Sequence, residues 1–126
     1  MQLLTKAEEE IMQVLWKLKN AFIKDVLEEF KDTKPAYNTV STIVRILEKK
    51  GFVSHKSYGK THQYHPVIGR DEYRKFYLNN FLSKHFGGSF SSLVSFFAKE
   101  HDMNLKEVDE LMKHIKEDLN SEKDDK

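Results

Sequence analysis

The side chains of this 126-residue chain that are best suited to chemistry lie on the third predicted helix, Tyr37–Lys50. Its polar residues recur at helical spacing and therefore lie on or beside one face: Asn38, Thr39, Ser41, Thr42 and Arg45. Short hydroxyl and amide groups, together with one guanidinium, can bond to base edges and phosphates. An ordinary solvated face would carry more Glu and Lys. The pattern predicts a helix that reads DNA.

The distribution of charge supports this prediction, although the net charge of +1 argues against it at first sight. Residues 1–66 hold 11 Lys and Arg against 8 Asp and Glu, whereas residues 67–126 hold 10 against 12. Between Lys34 and His65 there are six Lys and Arg and only Glu48 as an acid, a local balance of +5. A solvated basic surface is the alternative, but a local excess of this size favours polyanion binding.

Further candidate phosphate contacts follow the polar face along the chain. Lys56 and Lys60 flank the tip of a predicted hairpin. Two lysines come before this hairpin in the sequence, and histidines lie within it. The full set of candidates for phosphate neutralisation is Lys49, Lys50, His55, Lys56, Lys60 and His62.

The elements that must position these groups can be read from hydrophobic periodicity and from turn residues. Thr5 and Glu8 form a predicted capping box for a first helix that ends near Asn20, and a second helix fits Phe22–Phe30. After the third helix, runs at 52–57 and 60–65 predict a β-hairpin joined across Tyr58-Gly59. We therefore expect a mainly α fold with a small β-hairpin wing, in which residues 1–67 form an N-terminal winged helix-turn-helix domain.

The second half is predicted to be a helical dimerisation region over residues 68–120, followed by a charged tail, 121–126. Its predicted helices are Asp71–Phe86, Ser89–Lys99 and Asn104–Leu119, and eight of the fifteen aromatic residues lie between Tyr73 and Phe97. So many large apolar groups could pack back onto the first domain, but we favour an interface between two copies of the chain. The candidate interface residues are Tyr77, Phe81, Phe86, Phe90, Leu93, Val94, Phe97, Leu111 and Ile115.

Other classes of protein are disfavoured. The absence of cysteine excludes disulfides and thiolate metal sites, and His62 and His65 point to opposite faces of a strand, so we expect no metal. There is no glycine-rich phosphate loop, and we expect neither an enzyme nor a cofactor. No apolar run reaches the ~20 residues of a membrane span, and the first residues do not resemble a secretory signal. We expect a cytoplasmic protein that does not insert into membranes.

The motifs together resemble the BlaI/MecI (penicillinase repressor) family. The resemblance covers nearly the whole chain, and the segments that carry it are Leu4–Glu8, Val14–Trp16, Asn38–Ile43, Leu47–Phe52, His55-Lys56, Gln63-Tyr64 and Gly87–Val94. It implies a homodimeric repressor bound to a palindromic operator on double-stranded DNA, which a membrane sensor metalloprotease often releases through cleavage in the C-terminal region. The family's well-studied members are cut at an Asn-Phe bond, and the matching bond here is Phe96-Phe97. Release by cleavage or by another signal therefore stays open.

Two alternatives also stay open at this point. One is a winged-helix module that binds another protein, since the fold alone does not decide between DNA and protein partners. The other is a ligand-responsive regulator of the MarR type.

Overall fold

The computed structural model describes residues 1–124, which form six helices and one antiparallel pair of strands. Contacts divide the chain into two units, Met1–Leu78 and the residues from Asn79 onwards. The elements are α1 (Lys6–Leu18), α2 (Ile23–Glu29), α3 (Tyr37–Lys49), β1 (Val53–Tyr58), β2 (Thr61–Pro66), α4 (Arg70–Phe86), α5 (Phe90–Glu100) and α6 (Leu105–Asp124). The predicted fold class, mainly helical with a small hairpin, is confirmed.

The apolar stripes of the first three helices form the core of the first unit together with the hairpin. Met12 and Leu15 of α1 are fully buried, as are Val40, Val44 and Leu47 of α3. Phe52, at the start of the hairpin, is also fully buried, and Tyr64 of β2 is 4% exposed. Burial of one face of α3 by this core leaves its opposite face at the surface, which is the face that carries the predicted DNA contacts.

The hairpin pairs β1 with β2 in the register His55↔Tyr64 and Tyr58↔Thr61. Its turn therefore consists of Gly59 and Lys60, one position later than the predicted Tyr58-Gly59. Gly59 has a φ of +63°, and the first turn position of a tight hairpin favours glycine for this reason. The turn places the Lys60 ammonium at the tip of the wing.

Hydrogen bonds attach the wing, which consists of β1, β2 and their turn, and the linker of residues 67–69 to the helices. Ala21 and Tyr64 exchange both backbone N–H···O=C bonds, at 2.9 and 2.7 Å, so that the α1–α2 connection acts as a one-residue third strand. The Trp16 indole Nε1 donates to the backbone oxygen of Ile68 at 2.9 Å. The Trp16 ring also lies 6.0 Å from the ring of Tyr73.

The predicted capping box at the start of α1 is present and is extended by an ion pair. The backbone N–H of Glu8 donates to Thr5 Oγ1 at 3.2 Å, and that of Thr5 donates to Glu8 Oε1 at 2.8 Å. Lys50, just after α3, places Nζ 2.8 and 2.9 Å from the two carboxylate oxygens of Glu8. Burial, the largest single influence, raises the pKa of Glu8, but the bonds from Lys50 and Thr5 outweigh it and hold that pKa below its ordinary value.

We expect Lys50→Met to lower the free energy of unfolding by about 3 kcal/mol, because the buried Glu8 carboxylate loses its partner. Because the pKa of Glu8 is lowered in the folded state, its contribution is present above the unfolded pKa and is lost as the pH falls through the folded pKa. The destabilisation should therefore shrink in acid. Urea unfolding at neutral and acidic pH measures it, and an equal loss at both would contradict this role of the pair.

The second unit contains three amphipathic helical segments with little enclosed core. Leu82 of α4 is 7% exposed, whereas α5 buries no side chain, and Leu105 of α6 is 84% exposed. α6 continues to Asp124, beyond the predicted end at Leu119, because residues 120–124 contain neither Gly nor Pro. Most of the predicted charged tail is therefore helical, and its last two residues lie outside the described part of the chain.

Candidate nucleic-acid interface

The outward face of α3 presents the predicted polar residues. Asn38, Thr39, Thr42 and Arg45 are exposed, and Ser41 is half-buried. The Thr42 hydroxyl donates to the backbone oxygen of Asn38 at 2.8 Å, so its proton is engaged within the helix and its oxygen remains an acceptor. Across the described residues, no carboxylate forms an ion pair with Arg45. The helix therefore offers a cation and several small hydrogen-bonding groups to a ligand.

The two faces of the wing carry different groups because side chains alternate along a strand. His55 and His62 lie on the face that also carries Tyr64, and their rings stack at 4.0 Å with an interplanar angle of 6°. Lys56 is exposed on the other face, and Lys60 is exposed at the turn. The wing thus presents ammonium groups to solvent and imidazoles towards Tyr64.

A groove of about 350 Å³ lies between α3, the start of α2 and the wing. It brings together four of the predicted contacts, Ser41, Arg45, Lys60 and His62. It is also lined by residues that the sequence did not single out: Phe22, Ile23, Lys24, Asp25, Tyr37, Thr61 and Tyr64. Three cations from three elements, Lys24, Arg45 and Lys60, therefore line one concave surface together with a single carboxylate, Asp25, and this positive balance suits a polyanion.

Three of the additional lining residues are candidates for DNA contacts. Lys24 and Thr61 are exposed, and the Tyr37 ring is 55% exposed at the first position of α3. The signal for Tyr37 was present in the sequence, as a large aromatic residue directly before the polar face. Lys24 and Thr61 could not be assigned without the three-dimensional placement of α2 and β2 beside α3.

The Tyr64 phenol lines the groove beside the Arg45 guanidinium. Burial raises the pKa of Tyr64, the nearby charge of Glu48 raises it further, and Arg45 partly offsets both. Tyr64 therefore stays protonated and supplies hydrogen-bonding and apolar surface rather than charge. Arg45 is left as the principal cation at this position.

Two of the predicted phosphate contacts have partners inside the protein. The Lys50 ammonium is held by both oxygens of Glu8, which neutralises its charge, so this geometry does not support a phosphate contact. The His55 Nδ1 lies 2.6 Å from Glu48 Oε2. Lys49, next to Lys50, is exposed.

The predicted dimer-interface residues are at or near the surface of the single chain. Phe90 and Phe97 are about half exposed, and Leu111 is 37% exposed. Phe81 and Phe86 pack against each other at 5.8 Å. The remaining members are Tyr77, which is 49% exposed, and the half-buried Leu93, Val94 and Ile115.

The candidate cleavage bond lies in the middle of α5. The side chains of Phe96 and Phe97 are 55% and 49% exposed, and the Phe96 ring packs at 5.7 Å against Phe86. The Phe96-Phe97 peptide bond therefore lies at the surface of the protein but within a helix.

Over residues 1–124, no three His, Cys, Asp or Glu side chains form a group that could hold a metal ion. None of the helices in the described chain is both long enough and apolar enough to span a bilayer.

The chain is similar to known proteins over most of its length. The profile of the penicillinase repressor family matches residues 4–117. The methicillin resistance regulatory protein MecI of Staphylococcus aureus (strain N315) is 32% identical over 111 residues, which cover 86% of this chain and 89% of that protein. The penicillinase repressor of Bacillus licheniformis is 28% identical over 122 residues, which cover 96% of this chain and 95% of that protein.

The fold has a solved counterpart as well. The solution structure of the DNA-binding domain of the repressor BlaI matches with a TM-score of 0.50 and 31% sequence identity, over 56% of this chain and 87% of that one.

Proposed function

The chain belongs to the BlaI/MecI (penicillinase repressor) family of DNA-binding transcriptional repressors, and from this premise we propose that it binds a palindromic operator as a homodimer. The family is one of repressors rather than enzymes. The observation that carries the proposal is the groove in which Arg45 of α3, Lys24 of α2 and Lys60 of the wing converge. Such an arrangement suits a duplex, because a helix enters the major groove while flanking cations meet the phosphates.

The proposed contacts divide by their chemistry. Arg45 and the small polar groups of α3, Asn38, Thr39, Ser41 and Thr42, are assigned to base edges and adjacent phosphates. The exposed cations Lys49, Lys56 and Lys60, with His62, are assigned to the phosphate backbone. Lys50 is reassigned to the ion pair with Glu8, and Lys24 is added as a phosphate contact.

The homodimer is proposed from the surface of the second unit. The exposed side chains of α6, including Leu111 and Met112, recur at the spacing of an apolar stripe, and Phe90 and Phe97 of α5 are about half exposed. A second copy of the chain would bury such faces, since aromatic residues and Met contribute strongly to interfaces. Two-fold symmetry would then pair two recognition helices with two half-sites.

Release of the operator is proposed to follow a signal, with cleavage by a membrane sensor metalloprotease as one route. The candidate bond is Phe96-Phe97, which is exposed at the surface of α5. This part of the proposal is supported by the family resemblance and by the position of the bond. We propose that the repressor acts in the cytoplasm, where the DNA is.

The test is a binding titration with a duplex that the protein itself selects from a randomised pool, at several salt concentrations, together with the mass in solution. We expect a dimer and an affinity that falls steeply with salt. A monomer that shows no salt-sensitive binding to any duplex would contradict the proposal and would favour the protein-interaction module.

Lys60→Ala should weaken binding to the selected duplex and to a random duplex alike, because phosphate contacts carry no sequence information. The slope of log K against log salt should fall by about one unit per chain. The comparison variant is Lys75→Ala, which also removes one exposed cation but from α4, outside the groove, so its slope should match that of the wild type. An unchanged slope for Lys60→Ala would place this residue away from the DNA.

A further inference from the structure

Glu48 brings a negative charge beside the proposed DNA-binding surface, although it is not among the residues that line the groove. It is the only acidic residue between Lys34 and His65, and it lies near the end of α3, one turn after Arg45. A carboxylate in this position repels phosphates, so by charge alone it weakens DNA binding. If this surface binds DNA, Glu48 must therefore favour binding through a contact within the protein that offsets this repulsion.

The contacts of Glu48 connect the recognition helix to the wing. The His55 Nδ1–H donates to Glu48 Oε2 at 2.6 Å, because a carboxylate can only accept. The His55 ring in turn stacks on the His62 ring of the neighbouring strand, and both rings flank Tyr64 at 5.6 and 6.1 Å. His62 lines the groove beside Arg45. A continuous series of contacts thus runs from α3 through β1 to β2.

We propose that Glu48 and His55 are positioning residues for DNA binding, which hold the wing against α3 and fix the His62 imidazole at the edge of the groove. The inference rests on the proposed function and adds to it Glu48 and His55, which would act on DNA binding through His62. In the proposal, neither Glu48 nor His55 contacts the DNA itself.

A role in positioning fits the energetics better than a role in stability. The two side chains are 32% and 29% exposed, and ion pairs at such sites add little to the free energy of folding. A two-stranded hairpin, however, is only marginally stable by itself. Its base is fixed by the Ala21–Tyr64 bridge, and the Tyr58 ring near its tip lies 5.9 Å from the ring of Phe22. The Glu48–His55 bond adds an attachment from α3. Fixing the wing before binding reduces the ordering cost that DNA binding would otherwise carry.

The experiment compares Glu48→Ala, His55→Ala, their double variant and Glu48→Gln for binding to the duplex selected by the wild-type protein. Charge alone predicts that Glu48→Ala binds more tightly, whereas positioning predicts that it binds about tenfold more weakly. The double variant should lose no more than either single variant, because both remove the same contact. Glu48→Gln keeps an oxygen acceptor for His55 and removes the repulsive charge, so it should bind at least as tightly as the wild type.

The matched control is Glu29→Ala, which breaks the 2.8 Å ion pair between Lys17 and Glu29 outside the groove. It should leave DNA binding unchanged, and thermal melts of all variants should lie close to that of the wild type. Equal or tighter binding by Glu48→Ala, or additive losses in the double variant, would overturn the inference while the proposed function stands. Failure of the wild type to bind any selected duplex would overturn both.

Discussion

Leu111→Glu is expected to convert the protein to monomers and to weaken binding to the selected duplex by about 100-fold or more. Leu111 lies on the apolar stripe of α6 and is 37% exposed in the single chain. In the proposed dimer its side chain is covered by the second copy, and a carboxylate there would be buried without a partner. Each monomer would then bind one half-site without the gain from simultaneous binding to the other. Analytical ultracentrifugation and DNA titration measure the two effects.

The control for this variant is Asn120→Glu, which adds the same charge on the opposite, polar face of α6. It should remain dimeric and bind normally. If Leu111→Glu stays dimeric at micromolar concentration, the α6 stripe does not form the interface. If it is monomeric and binds as tightly as the wild type, the dimer contributes nothing to operator affinity.

Arg45→Ala is expected to weaken binding to the selected duplex by about 30-fold per half-site, since a bidentate guanidinium–base contact contributes about 1–3 kcal/mol of discrimination. Binding to a random duplex of the same length should fall much less, because only a general electrostatic contribution is lost. The ratio of the two affinities, measured at one salt concentration, is the quantity that tests the role of Arg45 in specificity.

Arg74→Ala is the matched control, because it removes an exposed guanidinium from α4, outside the groove. Its affinity ratio should equal that of the wild type. A proportional loss on both duplexes for Arg45→Ala would assign Arg45 to the phosphate backbone instead of the bases.

Much of the first unit could be predicted from the sequence because its signals are local. The Thr5–Glu8 capping box, the apolar stripe of Val40, Val44 and Leu47 and the two strand-forming runs on either side of the turn each involve residues within a few positions, and all three are present. The hairpin turn lies at Gly59-Lys60 instead of the predicted Tyr58-Gly59, because the residue types of the two strands fit a turn at either position. The register depends on the pairing of the strands, which the pattern alone does not determine.

The features of the candidate site that the sequence does not reveal are contacts between distant residues. Lys50 is predicted as a phosphate contact because it lies in the basic stretch between Lys34 and His65, but the structure pairs it with Glu8, 42 positions away. The Glu48–His55 bond crosses from a helix to a strand, so no periodicity reveals it. The prediction of Arg45 and Ser41 depended on a single helical face and needed no such information.

The position of Trp16 has a practical consequence for these measurements. It is the only tryptophan in the chain, and its indole is held in the first unit by Ile68 and by the ring of Tyr73. Its fluorescence therefore reports the unfolding of the DNA-binding unit alone, whereas far-ultraviolet circular dichroism reports helices of both units. Comparing the two signals in one denaturant series would distinguish a chain that melts as a single cooperative system from one whose two units lose their structure separately.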